Sequence, residues 1–172
     1  MPQLPAVLPL YRALAGWPFG RQLFSIAFAA KAPYFRTVRP YFTELRPDYA
    51  EVRLRKRRRI HNHLRTVHVI AIANGLEAAM GALAEASIPP GRRWIPKAMQ
   101  LRYTALADSD IVCTAETAGA DWSAAQVSVR VTARRADGTV VVSGTIELHI
   151  SDRTPGAVRP VALPAIERRP PR

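Results

Sequence analysis

The sequence predicts an α+β fold in which an antiparallel sheet of five or six strands wraps round one central helix. The first observation is a helical segment at residues 66–85, whose side chains from 67 to 83 are nearly all apolar and leave no polar stripe to face water. A helix that is apolar on every side is a buried one. The second observation is alternation of apolar and polar residues in short segments on both sides of this helix, which is typical of half-buried strands. One helix after the second strand is the order expected when a sheet curls round a helix.

Alternation and turn residues place the individual strands. The predicted strands, the first of them short and aromatic, cover residues 41–45, 50–55, 99–105, 111–117, 122–133 and 139–150. A Pro-Pro-Gly sequence marks a turn after the helix, and an Asp-Gly pair at residues 137–138 predicts a tight hairpin between the last two strands. Two more helices, over residues 8–15 and 19–31, are predicted from short helical patterns between prolines.

The chain is long enough for one domain with a sizeable core, flanked by two peripheral segments. Residues 1–40 form an N-terminal helical extension, residues 41–151 the sheet-and-helix domain, and residues 152–172, rich in proline and arginine, a flexible tail. Cys113 is the single cysteine and lies in an alternating apolar segment. It is therefore expected to be buried in a strand. A lone cysteine fits a reducing compartment, so a cytoplasmic location is expected.

The chain is strongly basic, with 25 basic and 13 acidic residues and a net charge of +12. Acidic partners such as nucleic acid, anionic lipid or the phosphates of coenzyme A fit this charge. The densest basic segment, residues 53–59, lacks interleaved aromatics and belongs to no recognisable nucleic-acid module, so no nucleic acid is expected. No stable membrane insertion is expected either, because Asn74 and Glu77 interrupt the apolar segment before ~20 residues. A membrane-surface helix within residues 19–31 is an open alternative.

Glu77 lies within the apolar helix, where an ionised carboxylate without a partner is costly. Emergence of Glu77 at a gap in the packing, or a structural ion pair with an arginine, is one explanation, and a place in a site of chemistry is the other. His68 begins the helix nine residues earlier, so at ~100° per residue the two side chains leave opposite sides, ~13 Å apart along the axis. They can share a site only if His68 and Asn62 of one subunit meet Glu77 of another, which implies a symmetric dimer.

Asn62, His68 and Glu77 stand at the intervals of the Asn, His and Asp/Glu in hotdog-fold acyl-CoA thioesterases of the phenylacetate-pathway and mammalian thioesterase-superfamily type. The pattern in those enzymes resembles N-x5-H-G-G-x6-[DE], and here Val69 and Ile70 replace the two glycines. The chain from residue 12 to residue 151 more closely resembles an uncharacterised family of bacterial hotdog domains with an N-terminal helical segment.

The resemblance implies a hotdog domain at residues 41–151, assembled as a homodimer or a dimer of dimers, that hydrolyses acyl-CoA or acyl-carrier thioesters. No cofactor is implied beyond the coenzyme A of the substrate. Asn62 would position the thioester or water, backbone N–H groups near His68 and Val69 would stabilise the oxyanion, and Glu77 of the neighbouring subunit would be the general base or nucleophile. The further substrate-binding candidates are His63 and, for the phosphates of coenzyme A, Arg55, Arg57 and Arg58.

Several alternatives stay open on the sequence. A non-catalytic acyl-CoA or fatty-acyl binder fits the loss of the two glycines. A hotdog enoyl-thioester dehydratase fits the fourteen-residue spacing of His63 and Glu77, although the Phe-Pro and Pro-Gly elements of those enzymes are missing. The basic segment can also be a solvated strand end. His61, His63, His68 and Glu77 have no familiar metal-ligand spacing, so no metal is expected.

Overall fold

The computed structural model describes residues 7–153, and the predicted tail beyond residue 153 lies outside them. Three α-helices and six strands follow the predicted order. The helices are α1 (Val7–Ala15), α2 (Gly20–Lys31) and α3 (Val69–Ser87), and the strands are β1 (Tyr41–Arg46), β2 (Tyr49–Leu54), β3 (Arg92–Tyr103), β4 (Ile111–Glu116), β5 (Gln126–Arg135) and β6 (Val140–Asp152). Two short 3-10 helices cover Pro33–Thr37 and Arg58–Ile60. All strand pairs are antiparallel, and the order across the sheet is β1-β2-β4-β5-β6-β3.

Helix α3 packs across the sheet, mainly against β2 and β4. Its side chains Leu76, Met80 and Leu83 are completely buried, which confirms the predicted central helix. Gly75 allows the close approach, since a Cβ there would lie 2.6 Å from Leu54 Cδ1 and 3.0 Å from Cys113 Sγ. Although α3 is long and apolar enough to cross a membrane, 61% of its most apolar 18-residue stretch is buried inside the protein, so it is the core helix of this fold.

The start of α3 and the extent of β3 differ from the sequence prediction. The helix begins at Val69 rather than at residue 66, because His68 caps it in an extended conformation. Strand β3 begins at Arg92, seven residues before the predicted start. It is an edge strand with an irregularity between Pro96 and Ala98, so its first half shows no simple alternation.

The N-terminal helices cover the β1 edge of the sheet. Phe24 of α2 packs edge-on against Phe42 of β1, with ring centroids 5.3 Å apart. The hydroxyl of Ser25 accepts a hydrogen bond from the Phe42 N–H at 2.9 Å, and the hydroxyl of Tyr11 donates to the carbonyl of Thr43 at 3.0 Å. Residues from α1 and α2 therefore join the same hydrophobic core as the sheet.

The opposite edge of the sheet, formed by β3, has no further strand paired to it within residues 7–153. In an antiparallel pair, residues directly opposite each other point to the same face. Met99 of β3 lies opposite the buried Ile146, and Tyr103 lies opposite the buried Val142, yet Met99 and Tyr103 are exposed. The inner face of the sheet therefore continues past the area that α3 covers, and it leaves apolar side chains open at the β3 edge.

Candidate active site at the start of the central helix

Asn62 closes the loop that leads into α3. Its Oδ1 accepts hydrogen bonds from the N–H groups of Leu64, at 2.9 Å, and Thr66, at 3.1 Å. Its Nδ2 donates to the hydroxyl of Thr66 at 2.9 Å. Arg65, inside the loop, has a φ of 58°, a left-handed conformation that the Asn62 contacts help to hold. One amide hydrogen of Asn62 is left over for a ligand, so its main role in this geometry is to shape the loop.

Backbone hydrogen bonds hold the end of the loop on both sides. The N–H of His68 donates to the carbonyl of Ile60, and the N–H of Val67 donates to that of Ala107, each at 2.7 Å. Val67 also pairs with His61 in an isolated antiparallel bridge. The first residue of α3 is therefore held in a fixed position.

His68 is the N-cap of α3, and its Nδ1 accepts a hydrogen bond from the N–H of Ile70 at 3.1 Å. A neutral imidazole in this arrangement carries its hydrogen on Nε2. The carbonyl of His68 accepts from the N–H groups of Ala71 and Ile72. Among the described residues, nothing accepts from the N–H of Val69. That N–H lies where the helix dipole is positive, and no acidic residue occupies the first turn.

Glu77 is half-buried rather than fully buried, as expected for a side chain that emerges at a gap in the packing. It shares an open strip of α3 with the half-buried Ala73 and the exposed Ile70, four and seven residues before it. Within residues 7–153 no hydrogen bond or ion pair reaches its carboxylate, so the structural ion pair considered above is not found there. The helix is continuous, so His68 and Glu77 of one chain stay ~13 Å apart along the axis.

A small pocket of about 380 Å³ opens beside His68 and Ile70, between α3 and the segment around Tyr34. His61 and Asn74 also line it. Asn74 is buried; its Nδ2 donates to the carbonyl of Tyr34 at 3.3 Å, while its Oδ1 and the Nε2 of His61 make no hydrogen bond within the described residues. Asn74, a polar residue in an apolar helix, is a sequence signal that could have pointed to this pocket, but its neighbours become visible only in the fold.

The basic segment contributes to a second, larger groove of about 880 Å³. Arg55, Lys56 and Arg57 line it together with Arg36 and Arg39, and no carboxylate is among the lining residues. Sequence patterns gave no sign of Arg36 and Arg39, which the proline-flanked segment between α2 and β1 brings to the groove. The five cations make the groove a candidate site for anions.

The arginines of the basic segment differ in their surroundings. Arg57 donates to the carbonyl of Thr37 at 2.8 Å, and partial burial with the neighbouring charges of Arg39 and Arg59 lowers its pKa. Arg53 pairs with Asp110 at 3.0 Å, so part of the segment is an ordinary surface ion pair. Arg58 is exposed and lies outside the groove lining.

Two other predicted residues have clear placements. His63 is exposed in the loop and makes no side-chain hydrogen bond to a described residue, so nothing fixes its orientation. Cys113 is buried in β4, as its alternating segment predicted, and burial raises the pKa of its thiol. The thiol is therefore a packing group.

The chain resembles known proteins in sequence and in fold. The family model described as "Domain of unknown function (DUF4442)" matches residues 20–150. The crystal structure of genomics APC5556 is 38% identical in sequence with a TM-score of 0.76, and the match covers 86% of this chain and 99% of that one. Comparison with curated proteins finds no match by sequence.

Two more distant structures are named as thioesterases. PA5026 from Pseudomonas aeruginosa, a protein of unknown function described as a probable thioesterase, matches at 20% identity with a TM-score of 0.67, over 80% of this chain and 97% of that one. A thioesterase family protein from Silicibacter pomeroyi matches at 16% identity with a TM-score of 0.65, over 75% of this chain and 96% of that one. These likenesses confirm the hotdog fold and the resemblance to an uncharacterised hotdog family.

Proposed function

The chain belongs to the DUF4442 family, and from that premise we propose that it hydrolyses acyl-CoA or related acyl thioesters at a site shared by two subunits. The observation that carries the proposal is the N–H of Val69, which begins α3 beside the His68 cap and has no acceptor within residues 7–153. The named thioesterases among the similar structures support thioester hydrolysis as the reaction class.

The start of α3 suits a developing oxyanion. A tetrahedral intermediate places negative charge on the former carbonyl oxygen, and a fixed N–H donor at a helix N-terminus stabilises that charge without reorganising. Because the His68 side chain and carbonyl occupy the next three N–H groups, the N–H of Val69 is the one left for substrate within the described residues. A backbone donor does not require glycine, so Val69 and Ile70, in place of the two glycines of the phenylacetate-pathway-type thioesterases, alter the space around the site and keep the donor.

The second catalytic group, Glu77, would come from a partner subunit. Pairing of two copies through the open β3 edge would bury Met99 and Tyr103, which face the core side of the sheet yet are exposed in a single chain. The same pairing would place a second α3 near the open strip of the first, which carries Ile70 and Glu77. The half-buried, unpaired carboxylate of Glu77 is then available to a site completed by two chains.

In the proposed reaction the Glu77 carboxylate accepts a proton from water as the water oxygen attacks the carbonyl carbon. The N–H of Val69 stabilises the oxyanion. Asn62 holds the loop before α3 in place, and its remaining amide hydrogen would face substrate or water. The carbon–sulfur bond then breaks, and the thiolate of coenzyme A leaves with the proton that Glu77 had accepted, which restores the carboxylate. In the other route open to Glu77, its carboxylate attacks the carbonyl carbon and expels the thiolate, and water then cleaves the resulting anhydride to the acid and free Glu77.

The two cavities would receive the two ends of the substrate. The pocket beside His68 has both apolar and polar side chains in its lining, among them Val38, Ile60 and Ile70, and it would receive the acyl group. The basic groove, with Arg55 and Arg57, would hold the phosphates of coenzyme A, which favour arginine. The proposal needs no cofactor, and the single buried Cys113 fits the cytoplasm as its location.

The proposal is tested with a panel of acyl-CoA thioesters of different chain length, with release of coenzyme A as the readout. Hydrolysis of at least one member above the uncatalysed rate is expected. Saturable binding of the same thioesters without turnover would instead identify a non-catalytic binder, the outcome that the bulky Val69 and Ile70 would then explain.

Replacing Arg55 and Arg57 together by glutamine is expected to raise KM for full-length acyl-CoA by about tenfold or more and to leave kcat nearly unchanged. Hydrogen bonds to charged groups have this magnitude, and contacts equal in ground and transition states affect KM alone. A truncated thioester without the nucleotide should be hydrolysed equally well by both proteins.

Arg58→Gln is the matched control, since this arginine is exposed and outside the groove lining. An equal effect of the double replacement on full-length and truncated thioesters, or an equal effect of Arg58→Gln, would contradict the coenzyme A role. Oligonucleotide binding that weakens steeply with salt and depends on Arg55 and Arg57 would assign the groove to nucleic acid.

A further inference from the structure

The turn between α1 and α2 and the outer face of α2 expose large apolar side chains that the proposed chemistry does not use. Trp17 is 72% exposed, Phe19 83%, Leu23 56% and Ile26 60%. Phe19, Leu23 and Ile26 follow a spacing of four and three residues, which places them along one side of the helix. Phe24 and Ala29 of α2 are buried against the core instead. These four exposed residues form what we call the N-terminal apolar stripe.

The segment of chain that carries the N-terminal apolar stripe has basic residues and no acidic ones. The first 43 residues contain the five basic residues Arg12, Arg21, Lys31, Arg36 and Arg39 and no aspartate or glutamate, and the first acidic residue is Glu44. Of these five, only Lys31 forms an ion pair among the described residues, at 4.0 Å from Glu85. The basic segment adds more cations, since Ile26 of the stripe and Arg36, Arg39, Arg55 and Arg57 line the same groove.

Exposed Trp, Phe and aliphatic side chains beside unpaired cations are the combination found in proteins that lie on anionic membranes. The apolar side chains enter the boundary between headgroups and acyl chains, and the cations are attracted to the lipid phosphates. A second copy of this chain is a poor partner for this surface. If two stripes packed face to face, Arg21, Arg36 and Arg39 of both copies would come together, and no carboxylate from residues 1–43 would balance their charge. A nucleic acid would match the charge but leaves the N-terminal apolar stripe exposed to water.

We propose that the N-terminal apolar stripe and the cations around it dock the protein on the surface of an anionic phospholipid bilayer. The helix α2 lies on the membrane without crossing it, since its inner face stays in the core through Phe24 and Ser25. This inference does not depend on thioester hydrolysis. It gives the N-terminal helices a role beyond covering the β1 edge.

The test uses the full chain with vesicles of phosphatidylcholine alone or mixed with phosphatidylglycerol, followed by sedimentation and tryptophan fluorescence. Trp17 is a built-in reporter, because Trp122 is buried and Trp94 is half-buried and already hydrogen-bonded to Glu85. We expect binding to the anionic vesicles only, a blue shift of the emission, and release as salt rises.

The double variant Phe19→Asn, Leu23→Gln should lower vesicle affinity by about tenfold or more, since it removes two inserting side chains. Phe19 has a φ of 61° at the N-cap of α2, a conformation and a position that asparagine favours, so this variant is expected to fold. The control Leu64→Gln, Leu106→Gln removes two exposed leucines elsewhere and should bind vesicles as the wild type does.

Three results would overturn the proposal: no binding to the anionic vesicles, binding that the Phe19→Asn, Leu23→Gln variant retains in full, or equal binding to neutral and anionic vesicles. Self-association that this variant abolishes, in the absence of vesicle binding, would assign the stripe to a second copy of the chain.

Discussion

Replacing Glu77 by glutamine is expected to lower kcat by about a hundredfold or more, the effect of removing a positioned general base. Glutamine keeps the shape of the side chain and loses its basicity. Because no hydrogen bond or ion pair holds the Glu77 carboxylate within residues 7–153, the change should leave the thermal unfolding midpoint nearly as it is. Steady-state kinetics of coenzyme A release, together with a thermal melt, measure the two quantities.

Glu85→Gln is the matched control for this experiment. Glu85 lies on the same helix but accepts from Trp94 Nε1 at 3.1 Å and lies near Lys31, so its replacement should affect stability slightly and turnover little. Wild-type turnover in Glu77→Gln would remove this residue from the mechanism.

Replacing Val69 by proline is expected to lower kcat by about 10²–10³, the cost of one lost oxyanion donor. The change deletes the free N–H and little else. Val69 is the first residue of α3, where proline is favoured, and His68 before it has φ −64° and ψ 135°, which suits a residue that precedes proline. Steady-state kinetics should therefore show the loss of turnover, while the thermal unfolding midpoint should stay close to that of the wild type.

Val69→Ala keeps the N–H and removes most of the side chain, so it controls for packing and should retain far more turnover than Val69→Pro. If both variants lose activity equally, the side chain matters and the N–H does not. The reverse outcome, full activity in Val69→Pro, would place the oxyanion elsewhere.

The same two variants test whether the site is shared. A heterodimer of Glu77→Gln and Val69→Pro subunits contains one intact site if His68 and Val69 of one chain work with Glu77 of the other. Refolding a one-to-one mixture makes about half of the dimers mixed, so roughly a quarter of the wild-type activity should return. No recovery above the two homodimers would mean that each site is built within one chain.

The pattern of apolar and polar residues along the chain was enough to predict most of the helices and strands. The helix that is apolar on nearly every side, the alternating strands and the Asp-Gly hairpin each reflect the burial of neighbouring residues, which sequence periodicity records directly. The predicted start of α3 was early by three residues, because the cap on its first turn depends on the geometry of His68 and not on hydrophobicity. The predicted strand β3 was too short. An irregular edge strand has exposed residues on both faces, so it lacks the alternation of apolar and polar residues that marks a central strand.

By itself the sequence determined that the fold wraps a sheet round one helix, and that His68 and Glu77 leave opposite sides of that helix, since nine residues of α-helix fix that relation. Only the tertiary structure decided which side chains meet. In the tertiary structure Asn62 holds the loop through hydrogen bonds, and the N–H of Val69 has no acceptor within the described residues. Arg36 and Arg39 line the same groove as Arg55 and Arg57. These relations join residues that are distant in sequence or depend on the path of a loop, and such packing leaves no periodic signal in the chain.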